Sequence, residues 1–170
     1  MGYLNGKKLY LAGPIEYQSG PNWRLEVVKH LTEEFGIEVF DPHADEKEKY
    51  LPELLESKAR GDFDTTTEIA RKFVRSDLGH LDRCDIVLAN IPSGIPTVGT
   101  VEEILTGLHN KKPVILVCED GKRNIPSWYY GIMNHNMFFG SFNETFSYLR
   151  EVNDGKHREE RKWAFVCGMV

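Results

Sequence analysis

Lys7-Lys8-Leu9-Tyr10-Leu11-Ala12-Gly13, followed at once by Pro14, is the stretch on which the fold turns. It starts charged, becomes apolar and stops at a Gly-Pro pair, so it reads as a buried strand delivered into a loop. Downstream, Trp23, Val27, Val28 and Leu31 recur at helical spacing over residues 22–35, with Gly36 where a C-cap is expected. Residues 37–40 give a short second strand closed by Asp41-Pro42. Residues 45–56 are crowded with Glu and Lys and belong to a charged excursion over 41–64, expected to be solvated and partly helical. Thr65 and Glu68 have capping-box spacing and introduce Ile69, Phe73, Leu78 and Leu81, a helix running to about Arg83.

The second half repeats the alternation. Residues 85–91 (DIVLANI) form a third buried strand, and a Pro/Gly-rich loop over 92–99 leads to a helix over 101–110. A strand over 113–118, a short helix near Trp128, a strand near 137–139 and a helix over 143–152 follow. Strands alternating with helices predict a single α/β domain over 1–170, a five-stranded parallel sheet covered on both faces in a doubly wound, flavodoxin-like or Rossmann-like order. Ligands of such sheets bind at the carboxyl ends of the strands near the switch point, which gathers the loops after strands one, three and four. Residues 154–161 read as a polar linker, whereas 163–170 (WAFVCGMV) are too apolar for a free tail. The tail over 155–170 is expected to dock on this subunit or a neighbour.

Composition narrows the function. A net charge of -5, from 21 basic and 26 acidic residues, argues against polymeric nucleic acid, which needs a basic face. A small-molecule substrate fits better. Three widely spaced cysteines without a C-x-x-C pair, and six histidines without ligand spacing, indicate neither a disulfide framework nor a metal site. Apolar runs such as 114–118 are too short to span a bilayer, and no charged-then-apolar leader opens the chain, so no membrane partner and a cytoplasmic location are expected.

Two features point to chemistry. Thr97-Val98-Gly99-Thr100-Val101-Glu102-Glu103 joins a strand's loop to a helix, where Gly99 lets backbone approach a ligand and helix N–H groups favour an anion. Thr100-x-x-Glu103 is equally a capping box, which many helices carry for stability alone. Asp77 falls on the helical face of Phe73, Val74 and Leu81, where a carboxylate is costly unless paired or used; Arg75 or a backbone amide would be the structural partner. Trp23 suits the core, Arg24 a solvated helix face or else a phosphate, and Trp128, Tyr129 and Tyr130 either a base-stacking cluster or an interface.

Four segments in order, Leu9 to Ile15, Asp77 with the strand after it, Gly99-Thr100-x-x-Glu103-Ile104 and Lys112-Pro113-Val114-Ile115, resemble the nucleoside 2-deoxyribosyltransferase-like superfamily. That superfamily includes nucleoside deoxyribosyltransferases and (deoxy)nucleoside 5′-monophosphate N-glycosidases. The resemblance implies that Glu103 attacks the anomeric carbon and forms a glycosyl-enzyme, that Asp77 protonates the leaving base or orients the sugar, and that Tyr10 holds Glu103 in its attacking pose. It places Gly13 and Ile15 in the pocket floor. Thr97 stands where transferases acting on free nucleosides have a carboxylate and monophosphate glycosidases a small hydroxyl residue. Ser127 falls where the latter supply a serine from a neighbouring subunit, so Thr97, Gly99 and Ser127 would share a phosphate across a homodimer or a dimer of dimers. No metal or organic cofactor is implied. Leu105, where the family usually has glycine, and the long charged excursion depart from its pattern. Two readings compete: the Gly-Gly-x-Gly-Thr-x-x-Glu box of cytokinin-activating phosphoribohydrolases, whose paired glycine is missing at Thr97-Val98, and a silent nucleotide sensor on the same fold.

Overall fold

β1 (Lys8–Ala12) forms the centre of the sheet with β3 (Ile86–Asn90), and the register Leu9 to Ile86, Tyr10 to Val87 and Leu11 to Leu88 sets everything around them. The computed structural model describes residues 2–15, 22–43, 48–95 and 97–169, with the side chains of residues 48 and 49 left aside. Residues 44–47 of the charged excursion, residue 96 of the loop before the Thr97 segment and residue 170 of the tail therefore lie outside the described residues. β2 (Glu38–Phe40), β4 (Val114–Val117) and β5 (Phe138–Phe139) complete one parallel sheet in the order β2-β1-β3-β4-β5. This is the flavodoxin-like order expected, with its switch point between β1 and β3.

Both faces of the sheet are covered because its strands alternate between two apolar clusters. Leu9, Leu11, Ile86, Leu88, Ile115 and Val117 face α1 (Trp23–Phe35) and α6 (Phe142–Asn153). Ala12, Val87, Ala89 and Leu116 face Leu81 of α3 (Phe63–Arg83) and Ile104 of α4 (Val98–His109). α4 can lie flat on the strands because residue 107 is glycine: a Cβ there would stand 2.9 Å from Val87 Cγ2 and 3.1 Å from Val114 Cγ2. In the tail Trp163 is fully buried in the first cluster, its Nε1 donating to Tyr148 Oη at 2.7 Å. Among the described residues no helix is long and apolar enough to cross a membrane.

Several local expectations need correction. The excursion is helical over α2 (Glu48–Arg60), which packs against α3 with Leu54 and Ser57 buried and Ser57 Oγ 2.9 Å from Thr66 Oγ1. Its dense surface charge conceals an inward stripe. α3 begins at Phe63 rather than at a Thr65 cap, since the Asp62 carboxylate accepts the Thr65 N–H at 3.1 Å. Val74 is 55% exposed and does not share the buried face of Asp77 and Leu81. α4 likewise starts three residues earlier than the spacing of Thr100 and Glu103 suggests: Thr97 is its N-cap, and Thr100 lies buried inside the first turn. The capping-box reading of Thr100-x-x-Glu103 therefore falls.

Candidate active site

Strand periodicity sends Leu9 and Leu11 of β1 to one face and Tyr10 to the other, where α3 and α4 lie. On α4, Thr100, Glu103, Ile104 and Gly107 share the inward stripe; on α3, Ile69, Asp77 and Leu81 do. Three elements thus deliver a phenol and two carboxylates to one buried region. Tyr10 Oη donates to Glu103 Oε1 at 2.6 Å, the separation of a charge-assisted O–H···O bond. Tyr10 is fully buried, and Glu103 and Asp77 are 8% and 9% exposed.

Electrostatics distinguish the phenol from an ordinary core tyrosine. Burial raises the Tyr10 pKa most, and the charges of Glu103 and then Asp77 raise it further, against a smaller opposing effect of Arg24. The phenol stays protonated at every workable pH and remains a donor to Glu103. Its ring stacks on Phe40 with centroids 5.6 Å apart, and Phe40 stacks on His80 at 3.8 Å, an aromatic column that fixes the ring from behind.

Where β1 ends, Arg24 ties the strand's end to the end of β2. Instead of solvating α1 it is fully buried, its Nη1 donating to Leu11 O at 3.1 Å and to Asp41 Oδ1 at 2.7 Å, and its Nη2 to Gly13 O at 2.8 Å. One guanidinium therefore pins the ends of β1 and β2 together. Trp23 is partly buried, stacked on Phe142 at 5.2 Å and lying under the Arg24 cation. Gly13 is required by this crowding, because a Cβ would come 2.8 Å from Trp23 Cζ2 and 3.2 Å from Arg24 Nη2. Ile15 follows, half-buried, just past the strand.

Thr97 is half-buried at the start of α4, and its side chain makes no capping hydrogen bond. Gly99 faces open space: among the described residues no heavy atom lies within 4 Å of where its Cβ would be. The structure thus gathers Tyr10, Glu103 and Asp77, with Gly13 and Ile15 at the end of the same strand and Thr97 and Gly99 at the start of the same helix. Ser127 is not drawn in. It is exposed at the head of α5 (Ser127–Ile132), and no hydrogen bond among the described residues joins it to Thr97, Gly99 or Glu103. The three neighbouring aromatics do not form one cluster, since Trp128 is 76% exposed while Tyr129 is buried in the core.

The family model for nucleoside 2-deoxyribosyltransferase matches residues 9–152. The chain belongs to this family, one of enzymes, as its four motifs led us to expect. Among solved structures it is similar to the 2-deoxyribosyltransferase of the psychrotolerant bacterium Bacillus psychrosaccharolyticus, at 25% identity and a TM-score of 0.53, covering 81% of this chain and 89% of that one. It also shares its fold with a 2-desoxiribosyltransferase from Leishmania mexicana, at 17% identity and a TM-score of 0.53, covering 85% and 97% of the two chains. No curated protein matches the chain in sequence.

Proposed function

We propose that this enzyme cleaves the N-glycosidic bond of a (deoxy)nucleoside 5′-monophosphate or nucleoside, with Glu103 as nucleophile. The observation that carries the reading is the buried bond from Tyr10 Oη to Glu103 Oε1, with Asp77 near enough to act on the same phenol. The donor fixes the orientation of the Glu103 carboxylate. A carboxylate oxygen bonds to C1′ as the C1′–N bond breaks, and the bonding pair leaves with the base nitrogen. Asp77 supplies or directs the proton that neutralises the departing base. Water then attacks C1′, passing its proton to the conjugate base left by protonation of the leaving base. The C1′–O bond to Glu103 breaks as it does so, which releases sugar (phosphate) and restores Glu103. Tyr10 acts through Glu103 as a positioning residue, and Gly13 and Ile15 line the floor.

Thr97 inclines the reading toward a 5′-phosphate. It is a neutral hydroxyl residue whose side chain is not used to cap α4, beside Gly99 at the helix N-terminus, where the helix dipole favours an anion. A second copy of the chain would add Ser127 to this cradle, and the exposed Trp128 and Tyr130 on the same short helix supply apolar area for such a homodimer.

A second reading has equal standing: transfer of deoxyribose to another base. It is favoured by the family model and by the Bacillus relative, both of which bear the name deoxyribosyltransferase. The two share the glycosyl-enzyme and part only at the acceptor. Chromatographic detection of base from ribo- and deoxyribonucleosides and their 5′-monophosphates, with and without an added acceptor base, separates them. Base release from monophosphates without acceptor supports the N-glycosidase. New nucleosides formed only with acceptor support the transferase, and silence across the panel contradicts both.

A further inference from the structure

α3 carries Asp77 on a stripe with Ile69, Phe73 and Leu81, each four residues from the next and so on one face of the helix. The helix leads through Cys84 and Asp85 into β3 of a parallel sheet. It therefore runs antiparallel to the strands, and its N-terminal turns lie toward their carboxyl ends. Phe73 is displaced from Asp77 by one turn, about 6 Å, toward the end of the sheet where β1 passes into Gly13 and α4 begins. Its ring is half-buried.

A second ring meets Phe73 from a different helix. Tyr50 of α2, also half-buried, packs on it with centroids 6.0 Å apart and planes at 61°, an edge-to-face corner. The two helices are tied together close by. Leu54, one turn after Tyr50, is buried, Ser57 Oγ lies 2.9 Å from Thr66 Oγ1, and Asp62 N–H donates to Ser57 O at 2.9 Å. α2 belongs to the charged excursion, so Tyr50 comes from the part of the chain that departs from its family's pattern.

We propose that Phe73 and Tyr50 form the wall against which the leaving base lies, and that Tyr50 makes the site favour a purine over a pyrimidine. The inference rests on the proposed function, in which Asp77 serves the leaving base. A base beside Asp77 has Phe73 one turn along the same helix face, and any base can stack on an aromatic ring. Length then decides between bases. A base stacked on Phe73 reaches Tyr50, the far side of the corner, only where a second fused ring extends it. The wall meets the base before and during cleavage alike, so its effect belongs in KM rather than kcat.

The test uses the full-length enzyme with purine and pyrimidine substrates that share one sugar and one 5′ group. Wild type is expected to favour the purine in kcat/KM. Tyr50→Ala should raise KM about tenfold for the purine and less than about threefold for the pyrimidine, with kcat within about threefold on both. Phe73→Ala should raise KM about tenfold on both, and Tyr50→Phe, which keeps the ring, should keep the preference. Circular dichroism and Tm show that each variant is folded. An equal loss on both substrates in Tyr50→Ala, or a wild type that favours the pyrimidine, overturns the inference. Calorimetric titration with free adenine and free cytosine supplies an arm that needs no turnover. Wild type should bind adenine about tenfold more tightly, and Tyr50→Ala should remove most of that difference. Equal or undetectable binding of the two bases, or a preference untouched by Tyr50→Ala, overturns the wall. A Tyr50-dependent preference for adenine in an enzyme that releases no base upholds the wall and fells only the proposed function.

Discussion

Tyr10 Oη and Glu103 Oε1, 93 positions apart in the chain, meet at 2.6 Å between the centre of the sheet and the first turns of α4. A hydroxyl donating to a carboxylate in a buried site is strong, and it also fixes the orientation of that carboxylate.

Replacing Tyr10 by phenylalanine keeps the ring in its stack with Phe40 and removes only the donor. A hydrogen bond to a charged group contributes about 1.5–3 kcal/mol, so kcat should fall roughly 10- to 100-fold with little change in KM. The pH profile adds a sharper check. Because burial, Glu103 and Asp77 all raise the phenol's pKa, Tyr10 does not ionise below its ordinary value of about 10. Any alkaline limb below that pH should be the same in wild type and Tyr10→Phe. A limb that disappears in the variant would show the phenol titrating.

Asp77→Asn preserves size and removes the proton. If Asp77 serves the leaving base, kcat should drop about 10²- to 10⁴-fold for ordinary bases and much less for bases that depart readily as anions. Steady-state rates across a series of leaving groups measure this, and a uniform loss would assign Asp77 to orienting the sugar instead.

At the end of β1, Gly13→Ala forces a methyl against Trp23 and Arg24. Overpacking of this kind costs about 1–3 kcal/mol. Denaturant unfolding should register that loss, and kcat/KM should fall as well because Arg24 also holds the loop after β1 through Gly13 O.

Trp163→Ala tests the tail. Trp163 is fully buried against the sheet, on the face opposite Tyr10, and its removal should cost about 3–5 kcal/mol of stability. Below the lowered Tm the folded variant should keep wild-type KM, since the tail packs on the other side of the sheet from Glu103.

Most of the sheet was legible in the sequence because β1, β3 and β4 are buried on both faces and leave plain apolar runs between Gly, Pro and Asp breaks. The start of α4 was not, because Thr100 and Glu103 imitate a capping box and Gly99 imitates a break, while the helix in fact begins at Val98. The packing of α2 on α3 was not legible, because charge outweighs its buried Leu54 and Ser57. Arg24 carried a signal that went unused: it stands three and seven residues before Val27 and Leu31, on the buried stripe of α1. The meeting of Tyr10 with Glu103 left no trace in local spacing, and only the family resemblance joined them.

Base release by wild type and Glu103→Gln, measured side by side on the best substrate of the panel, bears most directly on the nucleophile. The amide keeps the shape of the carboxylate and an acceptor for Tyr10 but lacks the charge that attacks C1′. The expected result is a loss of 10³-fold or more in kcat with substrate affinity retained, in line with removal of a covalent nucleophile. A variant that keeps activity within about tenfold of wild type would contradict the role assigned to Glu103.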